Sequence, residues 1–250
     1  MKHLFFLLFV FASLTLFADQ QQVYIQQANK AYSAGSYAEA ATLYKKVVLT
    51  GFESPDLYYN LGNTFFKLND FANAILWYER AKRLDPGNED IDFNLKVANN
   101  KIADKIEPLP ELFYKRWIKG IIGLFPVDTW AGTAIVLFII GLSAGILYLT
   151  SRVLFLRKIG FWLGLAAIFL ALCTLTIAWS GYHDLKNQKQ AIIFAPTVTI
   201  KSSPDEKSVD LFVLHEGTKV DLLDQIGNWL EIRIANGSVG WIQSGSLEII

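Results

Sequence analysis

The sequence has few of the residue types that build reaction centres. It contains 1 cysteine and 3 histidines in 250 residues, which excludes a disulfide framework and a metal site built from several cysteines. The histidines stand far apart, at positions 3, 183 and 215. A Walker-type phosphate loop and an HExxH motif are also missing. We therefore expect no enzyme activity, no cofactor and no metal site.

An excess of charge of one sign is missing as well. The 23 Lys and Arg residues balance the 23 Asp and Glu residues, whereas a nucleic-acid-binding protein carries a basic surplus. We expect no nucleic-acid partner. The net charge differs between segments of the chain. Residues 108–189 hold 8 basic and 3 acidic residues, whereas residues 190–250 hold 4 basic and 8 acidic residues. Membrane segments flanked by Lys and Arg account for such a basic stretch.

The first 18 residues have the pattern of an export signal. Lys2 gives a positive start, an uncharged apolar run extends from Leu4 to Leu16, and Ala18 is a small residue suited to cleavage. We predict a signal peptide over 1–18. An uncleaved membrane anchor is the alternative, since Leu16 is larger than the small residue usually found two positions before the cleavage residue.

Two long uncharged runs predict a transmembrane hairpin. There are 23 uncharged residues between Asp128 and Arg152 and 25 between Lys158 and Asp184, and about 20 suffice to cross a bilayer. We predict spans at 129–151 and 159–182 and a basic cytoplasmic loop at 152–158. With a cleaved signal, both flanking domains would lie on the periplasmic side of a bacterial inner membrane.

Residues 19–107 carry an internal repeat of 34 residues. Aromatic and small residues recur where two helices of a pair cross, and Pro86 would end the second pair. The pattern resembles a tetratricopeptide repeat, with repeats at 21–54 and 55–88 and a capping helix at 89–106. The positions that carry it are Tyr24, Ala28, Gly35, Tyr37, Ala40, Tyr44, Tyr58, Leu61, Gly62, Phe65, Phe71, Ala74, Tyr78, Ala81 and Pro86.

The resemblance implies a peptide-binding groove lined by the first helix of each repeat. Asparagine suits this role because its amide can both donate and accept hydrogen bonds to a peptide backbone. The alternative is that these asparagines only follow the repeat consensus. The residues that would line the groove are Asn29, Tyr32, Tyr59, Asn60, Asn63, Phe66 and Asn94.

Residues 108–128 predict a stiff linker followed by an amphipathic helix. Pro108 and Pro110 favour an extended chain. Leu112, Phe113, Trp117, Ile121 and Leu124 then share one helical face, away from three basic residues. We predict that this helix lies at the membrane surface. The alternative is that this segment only connects the linker to the first transmembrane helix.

Residues 190–250 change to short β-branched runs broken by Gly, Ser, Asn and Pro, which favours strands. The runs at 198–204, 217–223, 227–232 and 240–242 resemble a bacterial SH3 domain, a small all-β barrel. The core would contain Ile200, Val220, Leu222, Ile232 and Ile242. Relatives bind peptides or cell-wall glycopeptide, so Trp229 and Trp241 are candidates for a ligand surface. The alternative is that both tryptophans are structural parts of the barrel.

The order of these parts resembles the BatE family, the tetratricopeptide membrane proteins of the aerotolerance operon. The fold class is then a multidomain membrane protein with an all-α repeat domain, a transmembrane helical hairpin and an SH3-like barrel. The resemblance implies a scaffold or chaperone-like role in an envelope complex linked to stress tolerance. Its partners would be von Willebrand A domain membrane proteins and a MoxR-type ATPase system. The alternative function is peptidoglycan binding through the barrel.

Overall fold

The computed structural model describes residues 20–110, 112–187 and 189–250. The predicted signal peptide at 1–18 lies outside the described residues. The chain forms two compact units. The first contains the described residues up to Leu84 together with Asn88–Pro108 and Gln190–Ile250, and the second contains Asp85–Gly87 and Leu109–Lys189. The N-terminal helices and the C-terminal strands thus share one unit, although a long segment separates them in the sequence.

Five helices open the first unit. Ser54 accepts a hydrogen bond from the Leu57 N–H at the start of the third helix, where Pro55 occupies the first helical position. Asn88 caps the fifth helix in the same way through the Asp90 and Ile91 N–H groups. The helices are α1 (20–33), α2 (Tyr37–Val48), α3 (Pro55–Lys67), α4 (Phe71–Leu84) and α5 (Glu89–Asn99).

Small residues at the predicted positions let these helices pack closely. Ala28, Ala40, Ala74 and Ala81 are fully buried. Gly62 lies against the ring of Tyr78, since a Cβ atom at residue 62 would be 2.4 Å from Tyr78 Cδ1. The helical repeat architecture predicted from the sequence is present.

The fifth helix is shorter than the capping helix predicted at 89–106. It ends at Asn99, followed by turns and then an extended chain to residue 110. Ile91, Leu95 and Ala98 are buried, but Ile102 lies beyond the end of the helix and contacts Gly217 of the C-terminal region. Two consecutive asparagines of low helix propensity permit this exit, and contacts with the strands favour it.

The C-terminal region forms one antiparallel sheet of seven strands. The order across the sheet is β3-β2-β6-β5-β4-β1-β7, and each pair of neighbours runs antiparallel. The predicted runs do not include β1 and β3. The strands are β1 (Gln190–Ile193), β2 (Thr197–Lys201), β3 (Asp210–His215), β4 (Lys219–Ile226), β5 (Trp229–Arg233), β6 (Val239–Gln243) and β7 (Leu247–Ile249).

The inner face of this sheet carries the predicted core. Ile200, Val220, Ile232 and Ile242 are buried, and Leu222 packs against them while half-buried. The pairing register of β4 with β5 shifts between Leu222 and Asp224, which bends the strand. The all-β, SH3-like character of this region agrees with the sequence prediction.

The second unit contains three helices. The first, α6 (Phe113–Ile122), has no buried residue, while α7 (Val127–Thr150) and α8 (Leu154–Asn187) are long and apolar. By length and composition both could cross a membrane. The connection between them is shorter than the predicted loop at 152–158, because α8 already begins at Leu154. Arg157 and Lys158 therefore lie on a helix.

Helices α7 and α8 pack through glycine and alanine. A Cβ atom at residue 160 would lie 2.7 Å from the Ala144 carbonyl oxygen, and one at residue 141 would lie 2.7 Å from Ile168 Cδ1. Ala144, Gly164 and Ala167 are buried in the same contact. Small residues allow such close approach of two apolar helices.

Gly240 gives a test of the sheet packing. A Cβ atom there would lie 2.4 Å from Ile200 Cγ2 and 2.9 Å from the Lys201 carbonyl oxygen. Overpacking of this kind costs about 1–3 kcal/mol, so Gly240→Ala should speed hydrogen exchange of the strand amides, measured by mass spectrometry of peptides from 190–250. Gly245→Ala is the matched control, since nothing lies within 4 Å of its Cβ position. Equal effects of the two changes would contradict this packing.

Candidate interaction surfaces

The predicted groove residues lie on the first helices of the repeats. Asn29 and Tyr32 are on α1, Tyr59, Asn60, Asn63 and Phe66 are on α3, and Asn94 is on α5. Asn29 is exposed and the other six are half-buried. Hydrogen bonds bring Asn94 to both Tyr59 and Asn63, so α3 and α5 join at this face.

Tyrosine–asparagine hydrogen bonds repeat along the domain. The Tyr44 hydroxyl donates to Asn29 Oδ1, and the Tyr78 hydroxyl donates to Asn63 Oδ1 at 2.7 Å. Each tyrosine follows its asparagine by 15 residues, and the two pairs are one repeat apart. These bonds therefore tie the second helix of each repeat to its first helix. Part of the predicted asparagine set thus serves the fold.

Several asparagine amide groups on the same face keep N–H donors that no side chain uses. Asn94 Nδ2 donates to the Tyr59 hydroxyl at 2.6 Å and to Asn63 Oδ1 at 3.2 Å. Among the described residues, the side chain of Asn60 makes no hydrogen bond, and the Nδ2 groups of Asn29 and Asn63 donate none. Amide donors that point from a half-buried surface can bind the carbonyl groups of a peptide.

The hydroxyls of Tyr32, Tyr44 and Tyr78, on or beside this face, carry no charge at neutral pH. Burial, together with the nearby hydroxyl of Tyr32, raises the pKa of Tyr44 to about 12. Burial also raises the pKa of Tyr78 and of Tyr32, with smaller effects of neighbouring tyrosines. The rings of Tyr59 and Tyr78 lie 5.9 Å apart, and those of Phe66 and Phe71 lie 5.5 Å apart. This face therefore carries aromatic rings and amide groups.

The two candidate tryptophans share the outer face of the sheet. Leu230, Ile232 and Ile242 point to the core, so Trp229 on β5 and Trp241 on β6 point away from it. Trp229 pairs with Gln243 and Trp241 pairs with Glu231, which makes the two tryptophans diagonal neighbours. Both are half-buried. The arrangement leaves part of each indole ring accessible to a ligand.

A charged contact that the sequence did not reveal joins α4 to the strands. Lys219 Nζ lies 2.7 Å from Glu79 Oε2, and the Glu79 residue is only 8% exposed. Arg80 Nη2 donates to Glu248 Oε1 at 3.0 Å and to the Ile249 carbonyl oxygen at 2.7 Å. The Arg80 guanidinium also stacks on the ring of Trp77, 4.6 Å from its centroid. One face of α4 is thereby covered by the C-terminal region.

Apolar side chains complete this contact. Ile192 of β1 and Ile250 are buried in the same cluster as the repeat helices. Gly217 has φ +86° and faces Ile102 and Ile75, since a Cβ atom there would lie 2.4 Å from Ile102 Cγ2. A residue with a side chain would be strained both by this φ value and by this contact.

Asp104 holds the turn between β3 and β4. Its carboxylate accepts hydrogen bonds from the His215 N–H and the Thr218 hydroxyl, both at 2.7 Å, and lies 2.7 Å from His215 Nδ1. Burial alone would raise the pKa of Asp104, but the hydrogen bonds from Thr218 and His215 and the charge of the His215 ring hold it below its ordinary value. His215, which looked isolated in the sequence, is thus paired.

The sequence held no local signal for this contact. Asp104 and His215 are 111 residues apart, and Glu79 and Lys219 are 140 residues apart. The sequence predicts Asp104 within the capping helix at 89–106 and gives no sign that it binds the strands. In the described part of the chain, no group of three or more His, Cys, Asp or Glu residues is placed to hold a metal ion.

Comparisons with known proteins agree with both domain predictions. A tetratricopeptide repeat model matches residues 25–89, and a bacterial SH3 domain model matches residues 196–248. A search of curated proteins finds no match to the chain. Among solved structures, the crystal structure of MamA is similar at 17% identity and a TM-score of 0.34, covering 69% of this chain and 85% of MamA.

A second solved structure is similar to about the same degree. It is the crystal structure of YrrB, described as a TPR protein with an unusual peptide-binding site. The identity is 18% and the TM-score is 0.32, with 65% of this chain and 78% of YrrB covered. Similarity at this level carries no argument about the function of this chain.

The Asp104 contact predicts a pH-dependent loss of stability in Asp104→Asn. Hydrogen bonds to a charged group contribute about 1.5–3 kcal/mol, so the variant should lose protection from hydrogen exchange in peptides covering 210–220. The pKa of Asp104 is lower in the folded protein than in the unfolded chain, where it is about 3.9. The extra stability of the wild type over the variant is therefore fully present above a pH of about 3.9. It is lost as the pH falls through the pKa that Asp104 has in the folded protein.

Hydrogen exchange of both proteins across the acid range measures this difference. Asp205→Asn is the control, since Asp205 is exposed and its carboxylate bonds only within its own turn. A difference between wild type and Asp104→Asn that persists unchanged at the most acidic pH would show that the carboxylate charge does not stabilise the turn.

Proposed function

We propose that this protein is a membrane-anchored scaffold that binds protein partners through its repeat helices. The observation that carries the proposal is the distribution of covered and open surfaces in the first unit. The strands cover one face of α4 through Glu79 and Arg80, while the amide and aromatic face of α1, α3 and α5 stays accessible. Tetratricopeptide repeats and bacterial SH3 domains are protein-interaction modules, which supports a binding role without catalysis.

The open face suits an extended peptide segment of a partner protein. Asn60 and the Nδ2 groups of Asn29 and Asn63 would donate to peptide carbonyls. Tyr32, Tyr59 and Phe66 would contact apolar side chains of the partner. Because the Tyr59 hydroxyl is already hydrogen-bonded to Asn94, this ring loses little conformational freedom on binding. Asn94 would act by holding Tyr59 in place.

We propose that α7 and α8 anchor the chain in a bacterial inner membrane. The described residues up to Leu84, Asn88–Pro108 and Gln190–Ile250 fold into one unit, so they share one side of the membrane in this proposal. A chain that leaves that side and returns crosses an even number of times. Two spans satisfy this condition. The export signal proposed at 1–18 places that side in the periplasm.

The amphipathic helix α6 would lie along the membrane surface. Phe113, Trp117 and Ile121 are 76%, 74% and 45% exposed, and they share a face opposite Lys115 and Lys119. Helices of this kind bury their apolar face at the headgroup boundary. The lipid bilayer is therefore a partner of the chain in this proposal.

The resemblance to the BatE family supplies the identity of the protein partners. They would be membrane proteins with von Willebrand A domains, working with a MoxR-type ATPase system in aerotolerance or another stress response. The matched repeat and SH3 domains support the scaffold role; the partners and the physiological role rest on the resemblance.

Peptidoglycan binding is the second candidate function. The observation that favours it is the pair of partly accessible tryptophans on one face of the sheet, Trp229 and Trp241. Indole rings stack on sugar and peptide groups of cell-wall fragments. This function would leave the repeat face without a role in binding.

The scaffold proposal predicts loss of partners on changing the open face. Asn60→Glu places a longer, charged side chain among the groove residues without removing a hydrogen bond that holds the fold. Membrane pull-downs with this variant should lose defined membrane proteins that the wild type retains, by at least about tenfold, since an unpaired charge at an interface costs about 2 kcal/mol or more. Quantitative mass spectrometry of the retained proteins measures the loss.

Thr42→Glu is the matched control for Asn60→Glu. Thr42 is exposed on α2, outside the groove, and bonds only to the Ala38 carbonyl oxygen, so this variant should retain the partners. Equal retention by both variants would contradict the groove. Sedimentation of the full chain with purified cell wall, abolished by Trp229→Ala, would favour the second candidate function.

The proposed topology predicts the location of the C-terminal strands. A reporter that is active only after export, fused after Ile250, should be active. The same reporter inserted at residue 152, between the two spans, should be inactive. An inactive C-terminal fusion would contradict the periplasmic location of the first unit.

A further inference from the structure

A cavity lies beside the turn that joins α7 to α8. Its volume is about 330 Å³, and it is open on one side. Two cationic and three aromatic side chains dominate its walls. The lining residues are Tyr148, Leu154, Arg157, Lys158, Phe161 and Trp162. Nothing in the proposed scaffold role accounts for this arrangement.

The cations of this cavity have no acidic partner. Among the described residues, no carboxylate forms an ion pair with Arg157 or Lys158. The nearest acidic residues in the sequence are Asp128 and Asp184, about 20 or more helical residues away, a distance of roughly 30 Å or more along the helices. Two adjacent cations without a counter-charge favour an anionic ligand.

The guanidinium group of Arg157 is held in position. It lies over the ring of Tyr148, 5.3 Å from the centroid, a cation–π contact. Tyr148 in turn packs against Phe161, with ring centroids 5.8 Å apart. A planar guanidinium fixed in this way can bind two oxygens of a phosphate group, and its prior ordering lowers the entropic cost of binding.

The cavity lies where the uncharged sequence ends. The two uncharged runs, 129–151 and 159–183, both stop at this turn. If the helices span a bilayer, Arg157 and Lys158 lie at headgroup level, while Phe161 and Trp162 lie at the edge of the hydrocarbon. Trp162 is 66% exposed and Leu154 is 70% exposed. An amphiphilic ligand with a phosphate group and an acyl chain matches both parts of this surface.

We propose that this cavity, which we call the turn cavity, binds the phosphate headgroup of an anionic phospholipid. Arg157 and Lys158 contact the phosphate, and the rings of Phe161 and Trp162 contact the upper part of the acyl chains. The proposal rests on the transmembrane hairpin of the proposed function. It adds a defined lipid site to a hairpin that otherwise serves only as an anchor.

Native mass spectrometry of the full chain tests this site. The protein is reconstituted in nanodiscs with equal amounts of phosphatidylglycerol and phosphatidylcholine, and the lipids that it retains on release are counted. The wild type should retain phosphatidylglycerol preferentially. Arg157→Gln should lower that preference about tenfold, since a hydrogen bond to a charged group contributes about 1.5 kcal/mol, equivalent to roughly that factor. Arg157→Lys should restore part of it.

Arg152→Gln provides the matched control. It removes the same charge from the same turn, but Arg152 does not line the cavity, so the preference should stay near that of the wild type. Equal losses from Arg152→Gln and Arg157→Gln would overturn the site in favour of diffuse attraction to the surface. Absence of any preference in the wild type would overturn it as well.

Two further readouts separate the possible failures. Addition of soluble glycerophosphate should leave the retained phosphatidylglycerol unchanged; its displacement would show that the cavity binds a free phosphate ester instead of a lipid. Incorporation of each protein into the nanodiscs is scored first by gel filtration. A wild type that stays outside the nanodiscs would contradict the transmembrane hairpin and this proposal together, whereas incorporation without lipid preference would contradict this proposal alone.

Discussion

The Asp104 carboxylate is the interaction on which the arrangement of the first unit depends. It accepts hydrogen bonds from Thr218 and His215 at the β3–β4 turn, and it lies just beyond the point where the chain leaves α5. The position of Asp104 sets Ile102 against Gly217, and this contact closes the apolar cluster that Ile192 and Ile250 share with the repeat helices. This contact ties the exit of the chain from α5 to the β3–β4 turn, and the ion pair of Glu79 with Lys219 ties α4 to the same strands.

Hydrogen bonds between side chains also join neighbouring helices on the open face of the repeats. Asn63 accepts from Tyr78 and from Asn94, and Asn94 donates to Tyr59. Side chains of the proposed partner surface thus also hold neighbouring helices together. These hydrogen bonds order the proposed surface before a partner binds.

Much of the fold was predictable from the sequence, because each domain is set by short-range patterns. Alanine and glycine at repeat positions indicated the helix pairs, and the alternation of Ile232 and Ile242 with outer residues indicated the sheet. The end of α5 was missed by seven residues, since the forces that end it come from strands more than 100 residues away. The candidate groove residues were placed correctly on their helices by the repeat register, but no pattern could show that Asn29 and Asn63 bind tyrosines 15 residues later.

The turn between α7 and α8 was also predicted only in part from the sequence. The sequence indicated a basic loop at 152–158, and the basic charge is present, but an early start of α8 moves Arg157 and Lys158 onto the helix. The stacking of Arg157 on Tyr148 depends on this start. A charge count finds such residues, and only the packing of two helices shows that they share a cavity.

The burial of Ile192 and Ile250 among the repeat helices has a consequence for biogenesis. During synthesis the repeat helices emerge first, while the strands that complete their apolar cluster come after both long helices. Closing a loop of about 80 residues carries an entropic cost that grows only slowly with length, but the order of events is fixed by the chain. Until the C-terminal segment has been synthesised, the outer face of α4 stays uncovered. Completion of the first unit therefore requires that both long helices have been synthesised first, and a chain stalled midway carries an exposed apolar face open to chaperones and proteases.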